Sequence, residues 1–155
     1  MKKLSVPLLL WWQLVQQLRK RGNGERESGA FILGKPNCRR ASCFACYDDL
    51  DEAALLSGII TFHARGFARL WDICQERNLR VLADVHTHPS DWTGQSESDR
   101  THPMVAQSGH FAIILPNFAR GNSRSLRGAG IYEYLSDHRW KNWKVKLAPV
   151  KISLL

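Results

Sequence analysis

Between Arg80 and Asp99 the sequence reads RVLADVHTHPSDWTGQSESD, and no other stretch constrains the fold as much. Arg80 to His88 reads as a strand. Side chains at i and i+2 of a strand point to the same face, so His86 and His88 present two imidazoles to one point. After Pro89 comes the loop SDWTGQ, and Ser96 then begins a helix expected to run for roughly ten residues. Asp99 falls in the first turn of that helix, facing back toward the loop. The loop is long enough to fold the carboxylate over the two imidazoles. Two histidines and one carboxylate leave a zinc ion with an open fourth position, as catalytic zinc sites require. A general base within hydrogen-bond reach would complete such a site.

The rest of the chain supplies helices and strands in alternation. Ser5 and Pro7 predict a helix start, a cap candidate followed by a proline in the first turn. Leu8, Trp11, Val15 and Leu18 then recur at helical spacing. Arg19, Lys20 and Arg21 suit the negative end of the helix dipole, and Gly22 and Gly24 end the helix. Residues 28–34 predict a strand and Ser42–Tyr47 a second one. A helix follows at about 63–78, with Phe67, Leu70, Trp71 and Cys74 on one face. Phe111–Leu115 is a buried strand stopped by Pro116, Gly121–Gly130 a basic loop, and Ile131–Leu135 and Val145–Ile152 further strands. This mixture predicts an α/β or α+β sandwich in one domain spanning residues 1–155.

Composition sets limits on function. Apolar residues make up 44% and charged residues 23% of the chain, which excludes general disorder. No apolar run is long enough to cross a membrane. The start MKKLSVPLLLWW has lysines before an apolar run, as a secretory signal does. That run is short, no small-residue cleavage site follows, and QLVQQLRKR continues it as an amphipathic helix. The expectation is a cytoplasmic protein in which Cys38, Cys43, Cys46 and Cys74 stay reduced. The net charge is +8, and residues 101–155 carry eight Lys/Arg against two acids. Such an excess attracts anionic partners without identifying them.

His-x-His-Pro, six residues, then Ser-x-x-Asp resembles the JAMM motif of the JAB/MPN metalloproteases. At average composition, a chance match of His86, His88, Pro89, Ser96 and Asp99 in a chain this long is on the order of one in 10⁵. The family has a glutamate shortly before an apolar run ending in Gly, and Glu27-Ser28-Gly29-Ala30-Phe31-Ile32-Leu33-Gly34 resembles that pattern, with Glu25 the near competitor. The stretch ADVHTHPS…QSESDRTHPMVAQSGHFAIILP is similar to small stand-alone bacterial JAB proteins, and the likeness covers roughly residues 20–135. The resemblance implies the MPN/JAB (cytidine-deaminase-like) fold, a mixed central sheet flanked by helices, and one zinc per chain held by His86, His88 and Asp99. It implies Glu27 as proton shuttle and Ser96 as oxyanion donor. It also implies cleavage of peptide or isopeptide bonds after the C-terminal tail of a ubiquitin-like protein, in bacteria sometimes within antiviral operons. The tail could bind as an added strand.

Other residues carry competing readings. Trp92 either walls the substrate groove or packs within its loop. Asp84 either orients a ligand or sits at a sheet edge. His110 reads as a packed, hydrogen-bonded histidine, His102 as a neighbour of the site, and His63 and His138 as surface or cap residues. Cys38, Cys43, Cys46 and Cys74 resemble ferredoxin spacing, but Phe44 intervenes and Cys74 falls on an apolar helix face; thiols in an insertion loop are expected. Two further functions compete with the hydrolase: an inactive MPN scaffold, disfavoured because every ligand is kept, and a nucleic-acid binder using the basic third, disfavoured because no aromatic–basic module appears. The identity of the ubiquitin-like partner and the oligomeric state are left open.

Overall fold

The computed structural model describes residues 3–154; Met1, Lys2 and Leu155, the ends of the expected domain, lie outside the described residues. In chain order, β1 (Leu4–Pro7), α1 (Leu8–Gly22), β2 (Gly29–Gly34), β3 (Ala41–Cys46) and α2 (Tyr47–Leu50) come first. They are followed by α3 (Ala64–Arg77), β4 (Arg80–Thr87), α4 (Glu97–Thr101), β5 (Phe111–Leu115), β6 (Gly130–Ser136), β7 (Arg139–Trp143) and β8 (Val150–Ser153). Six strands form one sheet in the order β3-β2-β4-β5-β6-β7, and β1 pairs with β8 in a two-stranded sheet. Only β4 and β5 run parallel within the larger sheet, so it is mixed, as expected.

Strand alternation sorts the core onto the two faces of this sheet. β2 is buried at every position, as an inner strand covered on both sides must be. Its Ala30 and Ile32 pack with Trp11, Leu14, Val15 and Leu18 of α1. Its Phe31 and Leu33 pack on the opposite side with Tyr47 and Leu50 of α2 and Leu70 and Cys74 of α3. Each such large side chain contributes roughly 1.5–3 kcal/mol on burial. On β4 the alternation puts Ala83 and Val85 in the α1-side core. Asp84 and His86 therefore face the other side of the sheet, where both are buried.

The structure corrects several expectations. Ser5 is in a strand, paired with Lys151, and the helix starts at Leu8 with Pro7 as an N-cap that makes no side-chain bond. The left-handed residue that ends α1 is Asn23, not a glycine. The helix after Ser96 has five residues, not ten. His102 precedes Pro103, whose ring disfavours the helical conformation of the residue before it; accordingly His102 has φ −125° and ψ 67°. The strand expected over 145–152 is a single 3-10 turn at Val145–Leu147, with β8 beginning only after Pro149. Sequence reading passed over β7, which returns from β6 through Asp137 and His138, both left-handed, as a two-residue hairpin requires.

The segment between α2 and α3 is pinned by one carboxylate. Asp51 accepts hydrogen bonds from the backbone N–H of Ala53 at 3.1 Å and of His63 at 2.9 Å, and from Arg65 Nε at 3.1 Å. His63 Nδ1 lies 2.5 Å from its second oxygen. The carboxylate is fully covered, but by half-exposed partners rather than by depth. Burial raises its pKa, and the His63, Ala53 and Arg65 bonds outweigh burial and hold it below the usual carboxylate range. A depressed folded pKa contributes stability above the unfolded value of about 3.9, which is lost as pH falls below it. Asp51→Asn should lower Tm by several degrees at neutral pH and flatten the fall in Tm below about pH 4. Thermal melts from pH 7 to pH 3 check this; an unchanged profile contradicts the knot.

Candidate metal centre

Three side chains converge where β4 ends. His86 and His88 are both buried and Asp99 is half-buried, and one ligand atom from each lies within 4.8 Å of the others. Among the described residues this is the one group of its kind. Asp99 sits between the imidazoles: Oδ1 is 3.4 Å from His86 Nε2 and Oδ2 is 3.3 Å from His88 Nε2. Helix capping fixes the carboxylate there. Ser96 N–H donates to Asp99 Oδ2 at 2.9 Å, and Asp99 N–H donates to Ser96 Oγ at 3.0 Å, a reciprocal capping box. Ser96 Oγ keeps its own proton available to donate.

The donor set fits a divalent ion. His88 Nδ1 lies 3.1 Å from the Trp92 carbonyl, which can only accept, so the ring proton sits on Nδ1 and Nε2 presents a lone pair. His86 Nε2 is buried and makes no hydrogen bond; its near polar neighbour is Asp99 Oδ1 at 3.4 Å, so the atom is placed to share an ion with that carboxylate. Ligand atoms about 2.0–2.2 Å from a tetrahedral zinc lie roughly 3.3 Å apart, close to the two His–Asp99 separations. Burial opposes charge on His86, but Asp84 and Asp99 outweigh it and raise its pKa to about 10. The carboxylates around this imidazole thus select positive charge at that point.

The supporting side chains come from across the sheet. Asp84 is on a central strand, not at a sheet edge; its Oδ2 is 3.8 Å from His86 Nδ1 and its Oδ1 is 2.6 Å from His110 Nε2. Burial favours its neutral form, but His110 and His86 overcome this and keep it anionic. His110 is packed and hydrogen-bonded, as read. The Trp92 ring stacks on His88 at 5.3 Å and 17°, and the residue is 55% exposed. A Cβ on Gly94 would strike the Trp92 indole, so glycine is needed there. Tyr132 Oη donates to the Thr93 carbonyl at 2.8 Å, and Trp140 Nε1 donates to the Arg100 carbonyl at 3.0 Å. These two anchors, from β6 and β7, hold the loop and α4 over the sheet. No local signal marks them in the sequence, since each contact spans about forty residues.

Glu27 reaches the same centre from the segment just before β2. Gly29 pairs with His86, and Ser28 O accepts from Thr87 N–H at 2.9 Å, so the antiparallel ladder carries Glu27 alongside His88. Its N–H donates to the Gly58 carbonyl at 2.9 Å, and the Ile60 backbone N–H, close to its carboxylate, favours the charged form. Burial raises its pKa; His86 and His88 pull it down, Asp99 pushes it up, and the net shift is upward. Glu25, the near competitor, is exposed on the preceding turn. His102 is exposed and its ring pairs with the Thr101 hydroxyl, and His63 and His138 lie in the Asp51 knot and the β6–β7 turn.

The cysteines do not gather. Cys43 and Cys46 lie on β3, not in a loop, and face opposite sides of the sheet. Burial pushes the Cys46 thiol up to about 12, and Cys38 is exposed apart from them. Among the described residues the cysteines form no group that could hold a metal ion, so the ferredoxin-like spacing assembles no cluster.

Comparison with solved structures identifies the fold. The chain has the fold of JAB/MPN-domain proteins, with a His–His–carboxylate group at the end of its central strand that could hold a metal. It matches a JAB1/MPN domain protein from Archaeoglobus fulgidus with a TM-score of 0.52 and 14% identity, over 99% of this chain and 100% of that one. A protein from Desulfitobacterium hafniense matches with a TM-score of 0.63 and 11% identity, over 97% of this chain and 94% of that one. A Salinibacter ruber protein matches at 0.52 and 16%, over 94% and 90%. No family model matches the chain. No helix among the described residues is long and apolar enough to cross a membrane.

Proposed function

We propose that this protein is a zinc-dependent peptidase of the JAMM type, cleaving peptide or isopeptide bonds that follow the tail of a ubiquitin-like protein. One observation carries the reading: two buried imidazoles and a capped carboxylate converge on one point, with the Glu27 carboxylate beside them. His86, His88 and Asp99 would hold the ion. When bound, zinc supplies Lewis-acid polarisation of a carbonyl and lowers the pKa of water toward 7. Glu27 takes the proton of the attacking water and returns it to the departing amine. Ser96 Oγ–H donates to the oxyanion that develops on the carbonyl oxygen. Trp92 walls one bank of the approach, supported from below by His88.

The substrate class is tested by cleavage. Purified protein should release the downstream partner from fusions of ubiquitin-like proteins that end in a flexible tail, and a zinc chelator should stop it. Cleavage that persists after complete metal removal contradicts the mechanism. Zinc-dependent cleavage of unstructured peptides alone would keep the hydrolase and overturn the ubiquitin-like specificity.

A further inference from the structure

The turn Asn117–Ala119 is bonded to the backbone of His88 and Ser90, and its three residues have φ of 53°, 54° and 62°. None is glycine. Asparagine tolerates the left-handed region, whereas Phe118 and Ala119 are disfavoured there by their Cβ atoms. Such runs persist only when surrounding contacts hold them. Here the contacts lead to a metal ligand. Phe118 N–H donates to the His88 carbonyl at 2.9 Å, and Asn117 N–H donates to the Ser90 carbonyl at 2.8 Å. His88 N–H donates to the Leu115 carbonyl at 2.9 Å, so the backbone from His88 to Ser90 is gripped at both ends. From the far side, Arg19 of α1 donates from Nε and Nη2 to the Ala119 carbonyl at 3.1 and 3.0 Å. Its Nη2 also reaches the Gly121 carbonyl at 3.3 Å, and Gln16 Oε1 steadies Nη1 at 3.4 Å.

We propose that Arg19 is a positioning residue for the metal ligand His88, acting through the left-handed Asn117–Ala119 turn. The inference rests on the metal reading given above. A guanidinium forked onto one carbonyl fixes direction as well as position, which the point charge of lysine does not. Without the fork, the turn relaxes toward right-handed backbone, and the Phe118 N–H leaves the His88 carbonyl. Ala119→Gly removes the need for the clamp, because glycine enters the left-handed region without steric cost.

The test uses the full chain as Arg19→Ala, Arg19→Lys, Ala119→Gly and the Arg19→Ala/Ala119→Gly pair. Zinc affinity is read by chelator competition, and hydrogen exchange is read at the Phe118 amide. Arg19→Ala should weaken zinc binding about 10-fold or more and speed exchange, as loss of an outer support does. Arg19→Lys should not restore either, and the pair with Ala119→Gly should recover most of both. Unchanged zinc affinity in Arg19→Ala, or a loss that the glycine leaves untouched, overturns the proposal. Were the wild type to take up no zinc, the metal reading would fall separately. The clamp on His88 would then stand or fall by the exchange at Phe118 and its recovery in the paired variant.

Discussion

Glu27→Gln should keep zinc and lose turnover by roughly 10²–10⁴-fold, the usual contribution of a positioned general base. The substitution preserves the size of the side chain and keeps an oxygen close to the Ile60 N–H, so the fold around it should not move. It removes only the capacity to take and return a proton. The effect should fall on kcat more than on KM, because the proton is transferred in the transition state and not in the bound ground state. Glu25→Gln, on the exposed turn two residues earlier, should leave activity intact and serves as the control. The pair is checked by steady-state cleavage alongside metal content. Full activity in Glu27→Gln with zinc retained would remove Glu27 from the mechanism.

Asp99 has two tasks that substitution can separate. Its carboxylate lies between the two imidazoles, and one of its oxygens accepts the Ser96 N–H that opens α4. Asp99→Asn keeps an oxygen for the cap and loses the anion. It should weaken zinc by more than the roughly 10–100-fold that loss of an outer support costs, and it should also lower the Tm of the metal-free protein, because the anion that offsets the burial of His86 is gone. Asp99→Ala loses both and should in addition destabilise the metal-free chain by about 1 kcal/mol through the missing cap. Chelator competition and melts of metal-free protein measure the two effects. Equal zinc affinity for wild type and Asp99→Asn would show that the carboxylate caps a helix and does nothing more.

Much of this centre is local in sequence, and that is why it was legible. The i, i+2 histidines on a strand and the Ser96-x-x-Asp99 cap are rules of single elements. The structure brings them together as those rules imply. The mixed sheet with helices on both faces also follows from the alternation of apolar segments. What local rules miss is set by partners far away in the chain. Ser5 and Pro7 look like a helix start, yet Leu4–Pro7 is captured as a strand by Val150–Ser153. Pro103 shortens α4 because its ring disfavours helical backbone at His102, which overrides the helical pattern that precedes it. The supports of the site, Tyr132, Trp140 and Arg19, act through backbone carbonyls of distant loops. Carbonyls carry no side-chain signature, so the sequence gives no hint of those bonds. The left-handed Phe118 and Ala119 are equally silent, since nothing in their chemistry asks for that conformation.

The most direct test is a zinc titration of metal-free wild-type protein beside His88→Ala, with bound metal measured by elemental analysis after removal of excess. Convergence of His86, His88 and Asp99 on one ion predicts about one zinc per wild-type chain, and none retained by His88→Ala. A wild type that retains no zinc, or a variant that still holds a full equivalent, would contradict it.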